Sequence, residues 1–445
     1  MERGIGPMQT LLLQTLDKMV VHGNLHVTMP DGFAHSFGDG KGPPSGFHLH
    51  NQATVRHLLF DPDLHFGEAY MDGRLTITHG SIHQVLQVLF SNLNAASKPP
   101  APVRLPYAVR KRLKSLQQDN PVAKARQHVA HHYDLSGMLY DLFLDEDRQY
   151  SCAYFEKSGQ SLEDAQLAKK RHLAAKLLIE PGMKVLDIGS GWGGLGIYLA
   201  RVCGAQVTGV TLSQEQYKVS NDRVRKLGLQ QQVDFRLMDY RQLEGQFDRI
   251  VSVGMFEHVG VKHYPEMFTK VRQLLSPDGI YVLHSIGRAS GPGATSAWIR
   301  KYIFPGGYCP ALSEVLPVAE RAGFYSTDIE ILRLHYARTL AEWRKRFAHN
   351  RDKAVALYDE RFARMWEFYL SSSELSFRHL DLNNFQLQAA LKVDTVPLTR
   401  SYIAHEEARL RKREAVVLHS KQRSKPARAR SKHRKPESVH YPQAS

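Results

Sequence analysis

The stretch richest in chemical content is Val185 to Gly194, VLDIGSGWGG. Asp187, Gly189, Gly191 and Gly193 form a DxGxGxG run that follows an apolar strand and opens a helix. Glycines let backbone approach a ligand closely, and the turn sets that ligand beside a helix N-terminus. A bare strand-to-helix turn would use the same residues, but the strand–loop–helix setting favours binding. A dinucleotide site would show GxGxxG and an acid after the second strand, whereas that strand ends here in Val-Thr-Leu-Ser. No GxxxxGK[ST] run is present, which argues against an ATP loop.

Other chemical groups fall at strand ends, which line the ligand crevice of an open α/β sheet. Glu257 and His258 sit in VGMFEHVG, and His284 in YVLHSIG. Taken singly, Glu257 also reads as a helix-opening carboxylate, His258 as a cap and His284 as a structural histidine. Two such groups, Glu257 and His284, on one crevice strengthen the chemical reading. Cys152 lies in YSCAYF and is open to reading as nucleophile, ligand or core residue. Tyr336, in LHYARTLAEW, is by default a core tyrosine. KYIFPGGYCP, from Lys301 to Pro310, is either a rigid loop or the wall of an apolar channel. Three scattered cysteines give neither a disulfide framework nor a CxxC pair, and HExxH is absent, so no metal site is expected.

The elements that position these groups alternate. KVLDIGSG, AQVTGVTL, VDFRLMD, FDRIVSVGM and GIYVLHSIG read as strands. Helices are expected over GLGIYLARVCG, over the segment capped by Ser213 with Gln216 at its third position, and over about 264–275. This predicts an α/β fold with a doubly wound parallel sheet. Residues 131–145 read as a helix lying on that sheet, and 338–376 as a helical cover. Residues 1–95 form a smaller mixed domain: a helix over 11–20, a strand into a Pro-Asp-Gly turn, then helix, turn, helix and strand. A Pro-rich and then basic linker covers 96–125, the catalytic domain 126–405, and a disordered basic tail 406–445.

Charge narrows the partners. The 445 residues carry a net +15, of which +8 falls on residues 401–445, with twelve Lys and Arg against four Glu. Such a chain is drawn to polyanions, nucleic acid or anionic membrane alike. No apolar run is long enough to span a bilayer, and the N-terminus lacks a signal-peptide pattern, so a soluble cytoplasmic protein is expected.

The DxGxGxG loop resembles the first motif of S-adenosylmethionine-dependent methyltransferases. The ordered set HYDLS, YSCAYF, VLDIGSGWGG, GVTLSQEQ, MFEHVG, HSIG, KYIFPGG and HYARTL resembles the cyclopropane-fatty-acyl-phospholipid synthase family with its mycolic acid branch. The resemblance is motif-dense over 125–400 and looser over the N-terminal domain, which looks like the extra, lipid-associated domain of the bacterial phospholipid enzymes. It implies a Rossmann-like methyltransferase sheet. It also implies S-adenosylmethionine as methyl donor to a cis alkene of an unsaturated phospholipid, with a carbocation deprotonated by bound bicarbonate. It places the ion on Cys152 and Ile286 through main-chain groups and on the Glu257, His284 and Tyr336 side chains. Cofactor contacts fall on Tyr150, Ser151, Asp187, Gly189, Gly191, Gly193, Thr211, Leu212, Gln216, Asp239, Tyr240 and Arg241. Some relatives have Trp-Glu at the last two positions. The resemblance further suggests a homodimer, peripheral to the inner membrane on an anionic surface, with no specific nucleic-acid partner. Competing readings are a methyl- or methylene-branching enzyme, an O- or N-methyltransferase of a small molecule, and a binding protein on a decayed methyltransferase scaffold.

Overall fold

A computed structural model describes residues 6–95 and 137–419. The 96–125 linker, the HYDLS motif and residues 420–445 lie outside the described residues.

The N-terminal domain is a four-stranded mixed sheet with four helices. Strands β1 (Leu25–Thr28), β2 (Ala34–Phe37), β3 (Ser45–Leu49) and β4 (Leu75–His79) lie in the order β2-β1-β3-β4. Helices Pro7–Met19, Gln52–Phe60, Pro62–Met71 and Ile82–Ala95 complete it. Sequence reading finds the first three helices, β1 and β4. It passes over β2, β3 and the last helix. The strand residue His35 and Ser36 of β2 are exposed, so no buried alternation marks that strand.

The second domain is built on seven strands in the order β10-β11-β9-β8-β5-β6-β7. Strands β5 (Lys184–Ile188), β6 (Gln206–Thr211), β7 (Val233–Leu237), β8 (Phe247–Val253) and β9 (Leu275–Arg288) are mutually parallel. These are the five expected strands. Two more, β10 (Tyr325–Ile331) and β11 (Leu382–Ala390), were not expected; β11 runs antiparallel to both β9 and β10. The sheet is thus parallel in its body with one reversed strand near an edge. Its residues alternate between two cores. Val185, Val251 and Val282 face a layer containing Leu173, Leu177 and Leu410, while Leu186, Ile250 and Tyr281 face Phe268, Val271 and Val315.

A third apolar region sits over the carboxyl ends of the strands and is mostly aromatic. Tyr140, Phe143, Trp298, Trp343, Trp366 and Tyr369 are buried there, on helices that form the expected cover, Glu360–His379 and His335–His349, and on their neighbours. The N-terminal domain closes this region. Met71, Ile82 and Leu86 join the aromatic cluster. Glu68 accepts from Lys301 at 2.6 Å and Tyr302 at 2.9 Å, tying the KYIFPGG segment to the first domain.

The chain does not leave the fold at 405. A helix spans Ser401–His419 and buries Tyr402, Ile403, Leu410 and Glu414 against the second domain. The boundary read from charge is therefore corrected to 419 for the described residues. Like charges do not preclude order where distant partners meet them, as Arg171 meets Glu414 and Glu156 meets Arg411. Among the described residues no helix is long and apolar enough to cross a membrane.

Candidate active site

A cleft opens at the carboxyl ends of β5, β6, β7 and β8. Tyr150, Ser151, Asp187, Gly189, Gly191, Thr211, Leu212, Gln216, Asp239, Tyr240 and Arg241 all line it. Gly193 does not. It caps the helix Gly194–Tyr198 at φ +81°, and a Cβ there would lie 2.8 Å from Ser220 and Phe235, so glycine is required for packing. Gly191, at φ +54°, instead opens onto free space.

Local bonds fix the cleft. Ser213 caps its helix by accepting from Gln216 N at 3.3 Å, as its position predicts. That turns the Gln216 amide to accept from Thr211 Oγ1 at 2.8 Å. Asp239 holds Arg241 by both carboxylate oxygens, at 2.9 and 2.7 Å, and Arg241 lies over the Tyr240 ring. Asp187 is buried, and its Oδ2 accepts no hydrogen bond. Burial pushes its carboxyl up to about 7.

Beyond the cleft lies a second, drier locus. Glu257, on the turn after β8, is buried, and its Oε1 accepts from Ile286 N at 2.6 Å. Its Oε2 has no hydrogen-bond partner among the described residues. Burial raises the carboxyl to about 7, against the Ile286 hydrogen bond, which favours the charged form. Tyr308 N donates to Glu257 O at 2.8 Å, so the end of KYIFPGGYCP lies across this turn. Phe304 of the same segment packs on His258 and Tyr369. The segment thus packs against the turn that carries Glu257.

Cys152 and Tyr336 belong to the aromatic cluster against which Ile286 packs. The YSCAYF loop is pinned to the Tyr336 helix by Ala153 N to Thr339 Oγ1 at 3.0 Å and Phe155 N to His335 Nδ1 at 2.9 Å. Tyr150 stacks on Trp343 and shares a hydrogen bond with Tyr369 OH at 2.9 Å. Cys152 is fully buried, its thiol directed to Ala153 O, and burial drives its pKa up. A thiol held neutral this way is no nucleophile. Cys152→Ser should keep most of the wild-type turnover, measured as methyl incorporation by the folded variant.

His284 occupies a different position from the expected one. Both ring nitrogens are engaged, Nε2 with Asn384 at 2.9 Å and Nδ1 with Gln386 at 3.1 Å. Burial keeps the ring neutral. A neutral imidazole has one N–H and one lone pair, so one amide donates and the other accepts. The cause is β11: its register sets Gln386 opposite His284 and Asn384 opposite Ile286. His284 thereby locks β9 where Ile286 presents its N–H.

Residues 121–387 match the family model described as mycolic acid cyclopropane synthetase, and residues 12–99 match a domain of unknown function. The chain belongs to the mycolic acid cyclopropane synthetase family. The cyclopropane-fatty-acyl-phospholipid synthase of Escherichia coli K12 is 37% identical over 77% of this chain and 87% of its own length. The tuberculostearic acid methyltransferase UfaA1 of Mycobacterium tuberculosis is 35% identical over 83% of this chain and 88% of its own. The crystal structure of mycolic acid cyclopropane synthase CmaA1 complexed with SAH and CTAB superposes with a TM-score of 0.57 at 33% identity, covering 59% of this chain and 97% of that one. The protein is thus an S-adenosylmethionine-dependent methyltransferase of the lipid-cyclopropanating family.

Sequence reasoning missed several groups of the cleft: Gln149, Trp192, Met238, Met255, His263 and above all Lys169. Lys169 stands in the helix Leu162–Leu177, within the run Lys-Lys-Arg-His that reads as a solvated face. The one available signal was Ser161-x-x-Asp164, a helix start, which the structure shows as a cap accepting from Asp164 N at 3.1 Å.

Proposed function

We propose that the protein is a cyclopropane synthase acting on cis double bonds of unsaturated phospholipid acyl chains. The observation that carries this reading is an aromatic cluster beside the cleft, joined through Ile286 to a buried Glu257 carboxyl with one oxygen unpaired among the described residues. An alkene carries no proton that must leave before methylation, so the acceptor needs no activating base. It needs exclusion of water, walls tolerant of positive charge, and one late proton acceptor.

S-adenosylmethionine, when bound in the cleft, supplies the methyl group. The alkene π pair would take that methyl, the donor leaving as a neutral thioether, and the positive charge would pass to the chain. The ring of Tyr150, which lines the cleft, would stabilise that charge, as aromatic quadrupoles do, with Trp343 stacked on it and Tyr369 hydrogen-bonded to its hydroxyl. A C–H bond of the added methyl then breaks, its electron pair closes the ring, and the proton leaves toward Glu257. A bicarbonate ion would suit this locus: its hydroxyl offers the donor that Glu257 Oε2 lacks among the described residues, and Cys152, Tyr336 and Ile286 pack in the neighbouring cluster, with the Ile286 N–H already given to Glu257 Oε1. Bicarbonate, when bound, would supply the immediate base. A carboxyl near 7 passes that proton on at neutral pH.

A branched product is the alternative ending, supported by the similarity to a tuberculostearic acid methyltransferase. The positive charge, including eight Lys and Arg against one Glu in residues 420–445, supports reversible attachment of a cytoplasmic homodimer to the anionic inner membrane. Purified protein incubated with labelled S-adenosylmethionine and unsaturated phospholipid vesicles should yield labelled cyclopropane acyl chains by mass spectrometry. A labelled branched chain would select the alternative, and no labelled acyl product would sink both.

A further inference from the structure

Lys169 is a buried cation that makes no direct ion pair among the described residues. Its side chain is almost fully enclosed, 1% exposed, yet it lines the cleft. Its Nζ donates to Gln149 Oε1 at 2.7 Å and to Ser151 Oγ at 2.8 Å, both neutral groups. An ammonium has three donors, and these bonds use two. Its neighbours on the same helix are matched: Lys170 with Asp147, Arg171 with Glu414, Lys176 with Glu330. Among the described residues no ion pair forms at Lys169; Asp145 and Asp147 act on it only from a distance. A buried charge without a countercharge is costly unless a ligand provides one.

The wall of the same cleft carries the complementary feature. Asp187 is buried with Oδ2 unpartnered, and it feels the Lys169 charge. One open cationic and one open carboxyl group in a single cleft match a zwitterion. The amino-acid half of S-adenosylmethionine is one, with an α-ammonium and an α-carboxylate.

We propose that Lys169 binds the α-carboxylate of the cofactor's amino-acid half, opposite an Asp187 that faces the α-ammonium. This rests on the reading of the cleft as the S-adenosylmethionine site. Through Ser151 and Gln149 the same ammonium links that carboxylate to the YSCAYF loop. Lys169 is then a cofactor-binding residue, and its effect on the lipid is indirect, through placement of the methyl group.

Calorimetric titration with two probes tests this: S-adenosylhomocysteine, and its decarboxylated analogue, which keeps the ammonium. The wild type should bind the analogue about tenfold to a hundredfold more weakly, the range expected for a charge-assisted hydrogen bond in a buried site. Lys169→Met should bind both probes with the same reduced affinity, because the carboxylate no longer has its partner. Lys169→Gln keeps a donor for Ser151 or Gln149 without the charge, and should behave likewise even if the Met variant folds poorly. If the variants weaken both probes equally and preserve the gap between them, Lys169 is only a scaffold for Ser151 and the proposal falls. A wild type indifferent to the carboxylate also overturns it. Failure of the wild type to bind either probe would instead overturn the reading of the cleft itself.

Discussion

Glu257→Gln should lower kcat by about a hundredfold to ten-thousandfold, the range for loss of a positioned proton acceptor, while S-adenosylhomocysteine binds as before. The substitution keeps the shape of the side chain. An amide oxygen can still accept from Ile286 N, where the carboxylate now does at 2.6 Å. What is lost is the ability to take a proton. Cofactor affinity is the control, because Glu257 lies outside the cleft that Asp187 and Gly189 line. The pH profile gives the second readout. Burial lifts the Glu257 carboxyl from 4.5 to about 7. Below about 7 it is protonated and cannot accept, so wild-type kcat should fall as pH drops through that value. The residual rate of Glu257→Gln should lack this limb. Stability moves the other way. The folded state prefers the neutral form, so the wild type loses stability relative to the variant as pH climbs from 4.5 toward 7. An unchanged kcat in the variant would remove Glu257 from the chemistry.

The parts legible from sequence share a physical trait: they are local. The glycine loop announces itself because backbone geometry limits what can stand at Gly189 and Gly191. The Ser213 cap is legible because donor and acceptor are three residues apart. Five parallel strands were found because each is an apolar run bounded by turn residues. The groups that were missed depend on partners distant in the chain. β11 carries Asn384, Gln386 and Gln388, polar residues that argue against a buried strand. They are buried because Asn384 and Gln386 bond the two ring nitrogens of His284, on β9, and Gln388 donates to Lys176 O and Tyr402 OH. The run from Lys169 to His172 has the composition of a solvated face and none of its exposure. Its partners, Ser151, Asp147, Glu414, Glu330 and Glu407, come from three other segments of the chain. No window along the sequence contains both halves of such a pair. The same reason explains His284, whose ring is claimed by residues a hundred positions later in the chain.

Removing residues 406–445 should make the second domain unfold far more readily than it does in the intact chain. The difference lies in one helix, Ser401–His419, and chiefly in Glu414. Arg171 is 5% exposed and Glu414 is 4% exposed. The guanidinium meets the carboxylate in a two-pronged contact, Nε to Oε1 at 3.0 Å and Nη2 to Oε2 at 2.7 Å, and Tyr198 OH adds a bond at 2.7 Å. Burial disfavours the Arg171 charge, yet the Glu414 contact wins and holds it above its ordinary value. Glu414→Ala strands that cation, which should cost about 3 kcal/mol, the lower edge for breaking a buried pair. The lower edge applies because Glu156 stays within 3.2 Å of Nη1. Truncation after 405 removes more. It exposes the pocket that Leu410 fills, worth about 1.5–3 kcal/mol. It also deprives His172 of Glu407, one of the two carboxylates that keep the ring charged despite its burial. The double variant Arg171→Met with Glu414→Met should recover much of the loss, since a buried ion pair can be replaced by apolar side chains of similar volume at little cost. Urea unfolding of the four proteins decides the matter. If Glu414→Ala unfolds at the wild-type midpoint, the helix is an ornament on the domain, and the boundary at 405 drawn from charge would be the right one energetically.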